Sequence, residues 1–251
     1  MVRPRTYKTE AVVLRQMPFG EADRILTLYT PGMGKLHSIA KGVRRTRSRL
    51  GGNLELLNCV QVALSLGRSL DVITEVEVIH SFRGFRDDLH SLSRALYVSE
   101  LVDRFTVEKL ANYAIYQLLF ETLMRLGQVG QVDLILRYFE LHLLEYSGYK
   151  PELYWCVECR ARLEQGDHYF STAEGGILGP ECRVNSKELL TPISLNGVKV
   201  LRFLQDEMDY GRAEGLSLPS ELSAEIERLL RSCITFHIDT ELRTIEFMKS
   251  I

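Results

Sequence analysis

Val60-Gln61-Val62-Ala63-Leu64-Ser65-Leu66 sets an apolar side chain at every second position, the period of a strand with one face in a core and the other in solvent. Gly67-Arg68-Ser69 interrupts the run, and Val72, Thr74, Val76 and Val78 take up the alternation again, which predicts two strands joined by a turn. Upstream, residues 9–15, 24–29 and 35–40 read as three more strands, with Pro31-Gly32-Met33-Gly34 as the turn between the second and third. Five short strands in about eighty residues predict a small barrel. The five-stranded oligonucleotide-binding barrel is the commonest such design that takes single strands, and an SH3-like barrel fits the spacing almost as well.

The same region carries a one-sided charge. Residues 1–50 hold eleven Lys and Arg against three acids, a balance of +8, while the chain of 251 residues sums to -2, so the remainder stands at -10. A basic head before an acidic body points to a polyanion as the partner of the head. The charge is densest in Lys41-Gly42-Val43-Arg44-Arg45-Thr46-Arg47-Ser48-Arg49, followed by Leu50-Gly51-Gly52. Glycines and hydroxyls in such a loop let backbone N–H groups approach an anion, and each phosphate contact made by its cations releases counterions. Phe19, Tyr29 and Phe82 are candidates to stack on unpaired bases, although aromatics at strand positions are more often core.

Beyond residue 90 the period changes. Leu92, Leu96, Val102 and Phe105, then Tyr116, Leu119, Phe120 and Leu123, then Val132, Ile135, Leu136, Phe139 and Leu143 recur at intervals that predict three amphipathic helices. The helical period returns at Val198, Leu201 and Leu204 and again at Leu222, Ile226, Leu229 and Cys233, with Pro219 placed for a first helical turn. The expected organisation is α+β and multidomain. Residues 1–82 are expected to form the small barrel, an oligonucleotide-binding-fold, DNA-binding domain on the first of the two readings, and residues 83–251 a helical domain interrupted at 152–188 by a cysteine-bearing knuckle.

Cys156-Val157-Glu158-Cys159, followed by Cys182, resembles a zinc knuckle short of one ligand, since structural zinc takes four ligands in a tetrahedron. His168, Asp167 and Glu181 are the nearby candidates for the fourth. Three readings stay open: one structural zinc ion, three unmetallated thiols in a fold that once held it, and a thioredoxin-like redox pair at Cys156 and Cys159. The last needs a strand before Cys156 and a helix after it. Cys59 and Cys233 fall at apolar positions of a strand and a helix and are expected in the core. The chain has no Walker-type phosphate loop, metalloprotease histidine pair or nucleophile elbow, and its six histidines are scattered, which argues against an enzyme. Its first residues lack the apolar stretch of a signal peptide and no segment approaches the ~20 apolar residues of a membrane span, so a cytoplasmic protein is expected.

These segments resemble one family: Glu10-Ala-Val-Val-Leu-Arg15, Phe19-Gly-Glu-Ala-Asp-Arg24, Tyr29-Thr30 with Gly34-Lys35, Lys41-Gly42-Val43-Arg44-Arg45 with Ser48-Arg49-Leu50, Leu141-His-Leu-Leu-Glu-Tyr-Ser-Gly-Tyr149, and Gly175-Gly176 beside the knuckle. On them the whole chain resembles the RecO family of bacterial DNA repair and recombination mediators. The resemblance implies an N-terminal oligonucleotide-binding barrel, a helical bundle and, in many members, a zinc-binding insertion. It also implies binding of single- and double-stranded DNA, annealing of complementary strands, and help, together with RecR, in loading RecA onto DNA coated by single-strand-binding protein, all without catalysis. The helical domain of the family engages the acidic, apolar-ended C-terminal tail of single-strand-binding protein, for which Arg94, Arg104, Lys109, Arg125 and Arg137 are the candidate cations. A place on the bacterial nucleoid when DNA-bound, and none at a membrane, follows. By position, Lys35, Lys41, Arg44, Arg45, Arg47 and Arg49 fall on the family's basic barrel face. Cys156, Cys159 and Cys182 match three of its four cysteines, and Gly179 stands where the other would be. Two competing classes are an adaptor whose basic head binds an acidic protein and a thiol oxidoreductase.

Overall fold

A computed structural model describes residues 6–46, 48, 50–128, 132–166, 168–183, 190–207, 210–238 and 242–250. The chain divides into two compact units, Met1–Gln128 with Arg243–Ile251, and Val129–Leu242. Arg47, Arg49 and Asp167, singled out in the sequence, lie outside the described residues.

The first unit is built on five strands, β1 (Thr6–Phe19), β2 (Asp23–Thr30), β3 (Gly34–Ala40), β4 (Cys59–Ser65) and β5 (Asp71–His80), closed in the order β1-β2-β3-β5-β4. Every pairing is antiparallel except β3 with β5, which meet in parallel at Ser38 with Asp71 and Ile39 with Val72. That crossover is the oligonucleotide-binding arrangement and not an SH3-like one. β1 serves two neighbours: Thr6 to Val12 pair with β4 and Val12 to Phe19 with β2. A register shift between Val13 and Arg15 bends the strand, as a bulge does at a barrel corner.

Alternation along the strands fills the barrel with Ala11, Val13, Leu26, Leu28, Leu36, Val60, Val62 and Leu64. Leu54 and Val43, from the loop after β3, join the same core. Burial of this kind stabilises by about 25 cal/mol per Å² of apolar surface, so the loop is held by its own apolar residues. Helices α1 (Leu89–Phe105) and α2 (Tyr113–Leu126) belong to this unit, begun by Asp88 accepting from Ser91 N at 2.8 Å and by Asn112 accepting from Ile115 N at 3.2 Å. Two of the proposed stacking aromatics are core residues. Tyr29 is fully buried, its hydroxyl donating to Asn112 O at 3.3 Å, and Phe82 packs against His80, Phe85 and Phe120.

The second unit centres on α3 (Val132–Tyr146), where every residue from Leu134 to Leu144 is buried. The expected amphipathic helix thus has no solvent face over that span. Arg137, one of the candidate cations, instead faces Glu140 at 3.2 Å inside the unit. A three-stranded sheet, order β7-β6-β8, is made of β6 (His168–Ser171), β7 (Gly176–Leu178) and β8 (Leu190–Ile193), with α4 (Pro180–Arg183) after β7. Helices α5 (Leu195–Asp206), α6 (Tyr210–Glu214) and α7 (Ser220–His237) complete it, Pro219 standing at the cap of α7 and not in its first turn. The chain then returns to the first unit as α8 (Arg243–Ser250). Among the described residues, no helix is long and apolar enough to cross a membrane.

Candidate nucleic-acid interface and cysteine cluster

The cationic loop leaves β3 through Lys41 and Gly42 and is pinned before it turns outward. Asp23 Oδ1 accepts from Gly42 N at 2.7 Å, Ala22 O accepts from Arg44 N at 2.9 Å, and Val43 is buried in the barrel. With the backbone and one apolar side chain so held, Lys41, Arg44, Arg45 and Thr46 project into solvent. These hydrogen bonds bring the loop against the β1–β2 turn, whose strands end in an exposed apolar pair, Met17 at 45% and Phe19 at 50%. Opposite Met17 stand Ile25 of β2 and then Ile39 of β3. Cations on a pinned backbone, beside one exposed ring and half-buried aliphatics, are the two components a single-strand surface combines.

Lys35 lies elsewhere. Its ammonium is only 13% exposed and is held by Asp103 of α1, with Oδ1 at 3.2 Å and the Asp103 carbonyl also accepting. The segment joining α1 to α2 covers this end of the β2–β3 face: Lys109 N donates to Lys35 O at 2.9 Å and Glu108 bridges to Lys35 in parallel. Gly34, at φ +65°, permits the approach, because a Cβ there would lie 2.0 Å from Leu110 O. That end of the strand face is therefore closed by the chain's own backbone, and Lys35 is held in a structural ion pair. Lys35 and Asp103 are sixty-eight residues apart, so no local pattern marks the pairing.

Cys156, Cys159 and Cys182 converge, with all three sulfurs within 4.8 Å of one another. A tight turn presents the first two: Cys156 N donates to Ala161 O at 2.8 Å, Arg160 N to Cys156 O at 3.0 Å, and Arg160 takes φ +61°. No helix follows Cys156, so the thioredoxin-like geometry is not formed. α4 supplies Cys182. Burial alone would raise the Cys156 thiol, but N–H groups led by Gly179, whose N donates to its sulfur at 3.5 Å, outweigh it and hold the pKa to about 7. Cys182 moves the other way, raised by its hydrogen bond with Cys159 and by burial.

Around a tetrahedral zinc with bonds of ~2.3 Å the sulfurs would stand ~3.8 Å apart, so a small contraction of this cluster fits the ion. Cys156, Cys159 and Cys182 would hold a structural zinc there, cross-linking the turn to α4. His168 is no fourth ligand as it lies: it is buried with Nε2 against Glu164 O at 2.7 Å. Glu181 is exposed outside the cluster. At position 179 an added Cβ would meet only Leu163 Cδ2 at 3.8 Å, so the backbone has room for a side chain there. Cys59 and Cys233 are buried, and burial pushes each thiol up to about 12, as expected of inert core cysteines.

A closed barrel in the oligonucleotide-binding order, followed by a helical body that carries a three-cysteine cluster, defines an oligonucleotide-binding-fold protein with a metal-type knuckle. Within that class the chain belongs to the RecO family: the model for Recombination protein O N terminal matches residues 2–82 and that for Recombination protein O C terminal residues 86–245. It is similar to the DNA repair protein RecO of Dehalococcoides mccartyi, 41% identical over 251 residues and covering 100% of this chain and 98% of the relative. It is also similar to the proteins of that name from Roseiflexus sp. strain RS-1, at 36% over 100% and 87% of the two chains, and Symbiobacterium thermophilum, at 35% over 98% and 97%.

Proposed function

We propose that this protein is a DNA-binding recombination mediator that works by binding and not by catalysis. The single observation that carries the reading is the pinned loop that lifts Lys41, Arg44 and Arg45 into solvent beside exposed Met17 and Phe19. The cations neutralise phosphates of either single- or double-stranded DNA, and the apolar pair takes up unstacked bases. Arg47 and Arg49 continue the run in sequence. Two strands held on one basic surface repel each other less, which is how the barrel promotes annealing of complementary strands. Lys35 has no part in this, its charge being satisfied by Asp103.

The names carried by the relatives support a role in DNA repair. With RecR, the protein would assist RecA loading on DNA coated by single-strand-binding protein, whose tail docks on the helical region. Arg137 drops out as a contact for that tail, since it faces Glu140 within the second unit. The barrel, residues 1–82, would be the DNA-binding domain and the rest the partner-binding body. Annealing of two labelled complementary strands tests the reading. The variant carrying Lys41→Glu, Arg44→Glu and Arg45→Glu should melt like the parent yet accelerate annealing at least about tenfold less. Unchanged acceleration would remove the loop from the account.

A further inference from the structure

The outer face of β1 does not end at Met17. Two residues back, at the bulge, Arg15 is exposed on the rim of a cleft of about 450 Å³ in the first unit. Leu14 and Leu96 form part of its lining; Arg104, in the last turn of α1, and Arg243, opening α8, stand around it with Arg15. Three arginines from three elements, 228 residues of sequence apart at the extremes, thus meet at one cleft.

Two acids also line it, and both are engaged. Glu100 accepts from Arg243 N at 3.2 Å, Thr244 N at 3.0 Å and Thr244 Oγ1 at 2.6 Å, so its charge offsets the start of α8. Asp103 is neutralised by Lys35. None of the guanidinium groups of Arg15, Arg104 and Arg243 has an acidic partner among the described residues. The cleft is therefore cationic in effect despite its mixed lining. Arginine forks suit phosphate oxygens, which they meet in paired hydrogen bonds.

Four strand residues separate Arg15 from Phe19, about 13 Å at 3.3 Å per residue. Met17 and Ile25 lie between, so an arginine cleft and the cationic loop flank one exposed apolar strip. We propose that the Arg15–Arg104–Arg243 cleft is a second phosphate site, and that a single strand runs from the cationic loop across Met17 and Phe19 into it. The inference rests on the DNA-binding reading of the barrel and extends its path. It also gives α8 a task, because this short helix brings Arg243 back to the barrel unit.

The test is single-stranded DNA titrated over a salt series, with the occluded length measured, for the full chain and the variant Arg15→Gln, Arg104→Gln, Arg243→Gln. Three lost phosphate contacts, at about 0.7 each, should flatten the slope of log affinity against log salt by about 2, and the occluded length should shorten. Arg104→Glu alone, an exposed change in the last turn of α1, serves if the triple variant melts early; it should flatten the slope by about 0.7. A folded variant with parental slope and length overturns the proposal. So does one that keeps both but loses an acidic peptide with an apolar end, since the cleft would then be a protein site. The Lys41, Arg44, Arg45 variant separates the two claims: if it too binds like the parent, the DNA reading of the barrel fails, and if it alone is weak, only the cleft fails.

Discussion

Lys35 and Arg44 are nine positions apart on the same basic head, and the structure gives them opposite surroundings, one paired and partly buried and the other exposed. Lys35 closes an ion pair 13% and 22% exposed, so Lys35→Met should lower stability by about 1–3 kcal/mol, the cost of leaving a partly buried charge without its partner, and leave DNA affinity unchanged. Arg44→Glu should do the reverse, and a denaturant curve beside a binding isotherm distinguishes them. His142 carries a pH signature. Buried on α3 with Nε2 donating to Leu204 O at 3.1 Å, it is held below the ordinary imidazole value mainly by desolvation, with Glu145 and Lys150 as the charged neighbours. The unfolded chain takes up its proton first, near pH 6.5, so stability is full above that value and falls as pH drops toward the folded pKa. The melting temperature should therefore decline between about pH 7 and 5, and His142→Gln should flatten that decline. The burial of Lys35 is not visible in sequence, because Asp103 lies sixty-eight residues away, whereas His142, three residues after Phe139 and seven after Ile135, adjoins the apolar stripe of its helix.

The barrel strands were legible because one face of each is apolar and the period is two; β3 follows the rule throughout, with Leu36, Ser38 and Ala40 inward. The knuckle strands, of four, three and four residues, are too short to show a period at all. α8 was missed for another reason: it contacts α1, and its start is held by Glu100, a residue about 143 positions away. Long-range partners of this kind also hide the covered end of the β2–β3 face at Gly34 and Lys35. Gly34→Ala puts a Cβ against Leu110 O in a backbone region that suits glycine, so it should cost at least about 2 kcal/mol in urea unfolding. In the knuckle, the three sulfurs were expected together and are together, while the geometry leaves position 179 open. Purified protein should hold about one equivalent of zinc, a chelator should lower its melting temperature, and Gly179→Cys should slow metal release by completing the tetrahedron. A metal-free preparation with the parental melting temperature would make the cluster three plain thiols.

At the scale of the molecule, the cationic loop and the three-cysteine cluster belong to different compact units. The head balance of +8 survives folding only in part, since Asp103 pairs with Lys35 and Glu75 with Lys8. Among the described residues of the head, Lys41, Arg44 and Arg45 are exposed near the exposed Met17 and Phe19, and that coincidence, not net charge, is what the proposed nucleic-acid surface would have over an adaptor's basic face. An acidic protein partner would use the cations and ignore the rings. The most direct measurement is therefore a salt series on poly-deoxythymidine binding for the full chain, the Lys41→Glu, Arg44→Glu, Arg45→Glu variant and Phe19→Ala. The loop variant should lose both affinity and salt slope, while Phe19→Ala should keep the slope and lose about 1–3 kcal/mol of salt-independent affinity, the range for one base stacked on one ring. Parental affinity and slope in the loop variant, with its fold intact, would contradict the account.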